Sequence, residues 1–296
     1  NEAPPAIVSI FLGTQLTEVL EAISDGRVWE PTPAKALKLS DDTVPTLMQD
    51  NTDRNRTSPF AFTGNKFEFR MLGSSASVSG PNIMLNTIVA DALNVLVDKI
   101  EGADDVNEAV YAVVRDVYNA HKRIIFNGNG YSDEWVAEAA RRGLLNLKST
   151  PECLPLLADS KNVELLAKYA IFTPEETTSR VHILLENYSK TIAIEADAAL
   201  DMLYKDILPG IEAYVSDLTK AALRKKQAGI TSSFEADLAG KISDIASEIY
   251  ERAEKLTFVK KEVAAIDSEN EKATAYHEQV LAAMQALREK VDEVEP

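Results

Sequence analysis

The 296-residue chain is long enough to bury one large core or two modest ones. Its 45% hydrophobic and 26% charged residues place it among folded proteins rather than disordered ones. Acidic residues outnumber basic ones 47 to 31, a formal charge of −16, so the chain lacks the basic footprint that nucleic-acid backbones or anionic membrane surfaces require.

In chain order, Asn1 to Pro5 read as a loop, and without further context Glu2 is a surface acid. Ala6 to Leu12 is short, apolar and β-branched, which predicts a buried strand. Gly13 breaks it, and Thr14 to Ser24 carries Leu16, Val19, Leu20 and Ile23 at helical spacing, with Thr14 or Thr17 as the cap and Gly26 as the stop. Residues 27–54, with Pro31, Pro33 and Pro45, predict a long ordered loop.

Residues 55–70 are the most informative stretch. Phe60 and Phe62, then Phe67, Phe69 and Met71, alternate with other residues, and Thr63, Gly64 and Asn65 lie between the two runs, which predicts a β-hairpin. The apolar side chains then face a core, and Lys66, Glu68 and Arg70 share the opposite face. Two readings of that face stand. One is a solvated ladder of weak ion pairs. The other is a site for an anionic, metal-bound substrate, with the carboxylate holding a divalent cation and the flanking cations neutralising phosphoryl or carboxylate oxygens.

The small polar residues 73–80 predict a connector. Pro81 then opens a helix whose apolar residues, Ile83 through Ile100, surround much of its circumference and predict deep burial. Asn86, Asp91 and Asn94 interrupt the apolar run, which argues against a membrane span. A further helix is expected from Val106 to Ile125, a turn at Asn127–Gly130, and a new helix from Ser132. The turn lacks the third glycine of a dinucleotide loop, since Asp133 occupies that place.

Beyond Thr150 the pattern is helical throughout. Thr173 to Glu176 forms a capping box with proline at the first helical position, and Ser232 to Glu235 forms a second. Leu208-Pro209-Gly210 and Gln227-Ala228-Gly229 predict helix breaks. Apolar stripes from Phe234 to Leu287 predict an antiparallel bundle. The single Cys153 excludes an intrachain disulfide and fits a reducing, cytoplasmic setting, and its leucine neighbours predict a buried thiol. His121, His182 and His277 fall at no metal-ligand spacing, so surface or packing roles are expected.

Residues 55–70 resemble the C-terminal catalytic signature of glutamine synthetase, in the form carried by type III enzymes. Asn1 to Pro5 resembles the glutamate-bearing loop of that family, and Ile124 to Gly128 with Tyr131 to Trp135 resembles a further type III segment. The resemblance implies an α+β fold: antiparallel strands of part of the catalytic domain over residues 1–150, then a mostly helical C-terminal bundle over 151–296. It implies an ATP- and Mg²⁺- (or Mn²⁺-) dependent ligase that joins glutamate and ammonium through γ-glutamyl phosphate, assembled as a large ring-type homo-oligomer in the cytoplasm. It assigns Glu2 to closing the site and deprotonating ammonium, Arg56 (or Arg54) and Lys66 to the nucleotide, Glu68 to a divalent metal, and Arg70 to the reacting carboxylate or phosphoryl group. Ser9 to Gly13 stands where bacterial type I enzymes carry an arginine-rich signature, so that arginine has no counterpart here. The chain opens without Met inside the glutamate loop, which leads us to expect further catalytic sequence upstream and no activity from this chain alone. A non-catalytic assembly or regulatory module of the same fold, and a γ-glutamyl-amine ligase, are the competing implications.

Overall fold

A computed structural model describes residues 7–30, 36–37, 47–48, 57–71, 73, 76–231 and 234–294. The chain forms two compact units, Asn1–Lys148 and Ser149–Pro296.

In the first unit, strand β1 (Ile10–Phe11) is shorter than the apolar run around it. Helix α1 (Thr14–Asp25) follows at once. Its N-cap is Gly13, not a threonine; the Thr17 hydroxyl instead donates to the Gly13 carbonyl at 2.7 Å. Gly26 closes α1 in the left-handed conformation, as expected. Within the expected long loop, β2 (Ala36–Leu37) and β3 (Leu47–Met48) pair antiparallel.

The hairpin forms where alternation placed it, from β4 (Phe60–Phe62) and β5 (Phe67–Phe69), with Phe60 opposite Phe69, Ala61 opposite Glu68 and Phe62 opposite Phe67. β1 adds to β4 in parallel, Ile10 beside Phe60 and Phe11 beside Ala61, so the sheet is mixed, in the order β1-β4-β5. This pairing corrects the expected sidedness. The phenylalanines pack on one another, Phe60 stacked on Phe67 at 5.4 Å and Phe62 tilted against Phe67 at 5.2 Å, yet Phe67 remains 48% exposed. The fully buried positions, Phe11 and Ala61, lie on the face that Glu68 shares. β5 is an edge strand, and what buries the opposite face is centred on β1.

Helix α2 (Ser79–Ile100) is a second correction. It is as apolar as predicted, but Thr87 is its only buried residue, and Ile88, Val89, Leu93, Val95 and Val97 are exposed. Among the described elements, α3 (Val106–His121) is the one that packs against it to any extent. A 3₁₀ turn over Lys122–Ile124 follows, and then α4 (Asp133–Arg141), capped by the Ser132 side chain.

The second unit is helical: α5 (Thr150–Leu157), α6 (Ser160–Lys168), α7 (Pro174–Met202), α8 (Leu208–Gln227), α9 (Phe234–Ala264), α10 (Glu269–Ala275) and α11 (Leu281–Asp292). Both halves of the Thr173 capping box form: Glu176 N–H donates to Thr173 Oγ1 at 3.2 Å, and Thr173 N–H to the Glu176 carboxylate at 2.8 Å. Ser149 and Glu152 form a box that sequence reading missed. The box expected at Ser232 lies outside the described residues.

Pro209 does not break its helix. A π-helical turn over Leu203–Ile207 joins α7 to α8, and the Leu208 N–H reaches the Leu203 carbonyl five residues back. Widening the ladder next to the proline accommodates a residue that has no N–H and would crowd a regular turn. A similar turn over Tyr276–Val280 joins α10 to α11. Ile192, Ala196, Leu200 and Leu203 meet Ile249, Ala253, Leu256, Val280 and Leu287 in the bundle core. Cys153 is exposed, contrary to expectation, because successive helical residues turn by about 100° and its leucine neighbours take the inner face. His277 packs through a 3.0 Å hydrogen bond with the Tyr188 hydroxyl.

Candidate functional site

The structure brings together three of the five residues singled out by the sequence. Glu2 and Arg56, and with them Arg54, lie outside the described residues. Lys66, Glu68 and Arg70 lie along the outer edge of β5. Arg70 Nη2 donates to Glu68 Oε2 at 2.8 Å, and Nε reaches the same oxygen at 3.3 Å. Lys66 Nζ stands 3.6 Å from Glu68 Oε1, a looser contact. The Arg70 hydrogen bond, reinforced by the charges of Arg70 and Lys66, holds the Glu68 carboxyl below the usual carboxylate range. Glu68 is therefore an anion at neutral pH, half-exposed, with one oxygen firmly engaged and the other facing a cation loosely.

That arrangement suits a hard divalent cation as one ligand and not as a complete site. Mg²⁺ accepts a single protein carboxylate when water and phosphate oxygens fill its other positions. Among the described residues no three His, Cys, Asp or Glu side chains converge on a common point. Oε1 is the oxygen with the looser contact, Lys66 Nζ at 3.6 Å.

What steadies the hairpin is a segment whose role the sequence did not disclose. Ile125 bridges to Ile10 in parallel, and Phe126 N–H donates to the Ile10 carbonyl at 3.0 Å. Asn127 Oδ1 accepts from the backbone N–H groups of Leu12 and Gly13, each at 3.1 Å, while Nδ2 donates to Thr17 Oγ1 at 2.9 Å. One side chain thus ties the end of β1 to the first turn of α1. The Asn-Gly-Asn-Gly run advertised only a turn; the long-range partners of Asn127 left no local trace.

Behind this segment, Trp135 is fully buried and stacks on Phe126 with ring centres 3.9 Å apart. Ile7 and Ala139 complete the cluster. The Arg142 guanidinium lies over the indole and donates to the carbonyls of Ile125 at 2.9 Å and Arg123 at 3.2 Å. Glu138 pairs with both Arg141 and Arg142, and hydrogen bonds from Arg141 and then Arg142 pull its carboxyl down to about 2. Because Glu138 binds its proton more weakly in the folded chain than in the unfolded one, its contribution is complete above its ordinary value of 4.5 and disappears as the pH falls towards about 2. Glu138→Gln should therefore lower the thermal midpoint most at neutral pH, and the gap from the unaltered chain should close across that acid window; a gap that stays constant with pH would contradict this linkage.

The profile of the glutamine synthetase C-terminal domain matches residues 109–226. The whole chain aligns with a glutamine synthetase of Butyrivibrio fibrisolvens at 42% identity over 301 residues, covering 42% of that protein. It aligns with a type-3 glutamine synthetase of Dictyostelium discoideum at 36% over 304 residues and with a glutamine synthetase of Bacteroides fragilis (strain YCH46) at 36% over 309, covering 41% and 42% of them. Along its whole length the chain is similar to glutamine synthetases. It spans about two fifths of the length of these curated relatives. The α+β expectation holds, with a small mixed sheet in the first unit and helices throughout the second. The profile begins after the hairpin, so the pairwise alignments are what carry the similarity across Glu68 and Arg70. No helix among the described residues is long and apolar enough to cross a membrane.

Proposed function

We propose that this chain supplies one side of the active site of a cytoplasmic, ATP-dependent ligase that forms glutamine from glutamate and ammonia. The observation that carries the reading is Glu68 held between Arg70 and Lys66 on one strand edge, in a chain of glutamine synthetase ancestry. Residues 1–150 form the C-terminal part of the catalytic domain and 151–296 a helical bundle, in a ring-type homo-oligomer.

In the first step an oxygen of the glutamate side-chain carboxylate attacks the terminal phosphorus of ATP, releasing ADP and leaving γ-glutamyl phosphate. Ammonia then attacks the acyl carbon, the C–O bond to phosphate breaks, and the proton shed by ammonium goes to the Glu2 carboxylate. Arg70 grips the transferred phosphoryl or reacting carboxylate oxygens with its planar guanidinium. Arg56 and Lys66 offset nucleotide charge. Glu68 gives an oxygen ligand to Mg²⁺ or Mn²⁺, whose chemistry when bound is to neutralise charge on the phosphate oxygens.

On this reading the remaining metal ligands belong to the part of the relatives outside the aligned two fifths, so residues 1–296 alone should form no glutamine from glutamate, ATP, Mg²⁺ and ammonium. Joined to that portion, it should do so. Glutamine formation by the chain alone would overturn the division of the site. A joined polypeptide that prefers organic amines to ammonium would replace glutamine synthesis by γ-glutamyl-amine ligation, and one with neither activity would favour an assembly role.

A further inference from the structure

We propose that Thr57 and Gly130 form a positioning latch that sets where Glu68 and Arg70 stand. The proposal rests on the reading above. Gly130 N–H donates to Thr57 Oγ1 at 2.9 Å, across 73 residues of sequence. A Cβ at Gly130 would overlap the Thr57 carbonyl oxygen, so only glycine lets the two backbones approach this closely. Two residues beyond Thr57, the Pro59 carbonyl accepts from the Arg70 N–H at 2.8 Å, which closes the open end of the hairpin.

The path from latch to site is therefore short: Gly130 holds Thr57, Ser58 is buried and bonds to the Phe60 carbonyl at 3.0 Å, and Pro59 holds Arg70. Arg70 in turn holds Glu68. On the other side, Gly130 is carried by the segment that Asn127, Phe126 and Arg142 fix to β1 and α1. Since among the described residues β5 has no neighbour beyond it in its sheet, its position depends on β4 and on what anchors the entry to β4. The latch is that anchor. Neither residue touches substrate; they act through Arg70 and Glu68, where a displacement of about 1 Å costs on the order of a hundredfold in rate.

The test uses a polypeptide that joins this chain to the portion its relatives carry. Thr57→Val keeps the shape and removes the acceptor, and Thr57→Ser keeps the acceptor. Thr57→Val should lower kcat about tenfold or more and weaken binding of Mn²⁺ alone, counted by electron paramagnetic resonance, by about tenfold. Thr57→Ser should return both to near the unaltered level, and Gly130→Ala should match Thr57→Val if it folds. Thr57→Val with unaltered turnover and Mn²⁺ binding would overturn the proposal, as would Thr57→Ser as impaired as Thr57→Val. Glu68→Ala separates the two levels. If it loses Mn²⁺ binding and activity while Thr57→Val loses neither, only the latch is wrong; if it keeps both, the metal reading fails and takes the latch with it.

Discussion

Glu68→Ala in the joined polypeptide should lower glutamine formation by about a hundredfold or more, the scale on which loss of one preorganised electrostatic contact to a reacting group is felt. The expectation comes from how the two cations share the carboxylate. Arg70 takes Oε2 through two nitrogens, at 2.8 and 3.3 Å, and its own side chain is largely covered, so this pair is fixed. Lys66 is 65% exposed and stands 3.6 Å away, so it yields Oε1 at little cost. On the proposed reading, removing the carboxylate would take an oxygen ligand from the divalent metal and the Glu68 contact from Arg70. Lys66→Ala should cost far less, within about tenfold, as expected for an exposed pair. Steady-state assays with varied Mg²⁺ check both; near-normal turnover in Glu68→Ala would remove this residue from the chemistry.

Trp135→Ala should be the most destabilising single change in the first unit, by about 3–5 kcal/mol. The indole is 1% exposed, stacks on Phe126 and lies beneath Arg142. Its loss removes a large buried surface and leaves a cavity against Ile7 and Ala139 that the docked segment cannot collapse into without releasing Phe126 from Ile10. Denaturant unfolding of the chain measures the change. Trp135→Phe should cost less, partly because the buried indole N–H has no partner among the described residues and the phenyl ring dispenses with it. Equal losses for the two variants would show that ring stacking contributes little.

Local rules reached the elements and missed what joins them. Alternation at Phe60, Phe62, Phe67 and Phe69 specified the hairpin, because a pleated strand turns successive side chains to opposite faces within a few residues. Which face would be buried depended on β1, whose Ile10 meets Phe60 across 50 positions, and no local pattern encodes that partner. The proximity of Glu68 and Arg70 was legible because they stand two apart on one strand. Thr57 and Gly130 were not, since a threonine and a glycine in turn-rich sequence advertise nothing about a contact 73 residues apart. For α2, apolar periodicity predicted the helix correctly but not its exposure, because composition tells what a surface favours and not what reaches it. At Pro209 the rule of helix breaking gave way to a wider turn, and at Cys153 neighbours in sequence proved to be neighbours on the wrong side of a helix.

The wide turn before Pro209 has a bearing on how such a bundle tolerates changes in length. In a regular helix one added residue rotates everything downstream by about 100° and throws its inner side chains outward. Leu203–Ile207 absorbs such a surplus locally, so Leu200 and Ile211 still point into the same core from either side. The turn works as an expansion joint: trimming one residue there should restore an ordinary spiral and leave α8 facing the core as before.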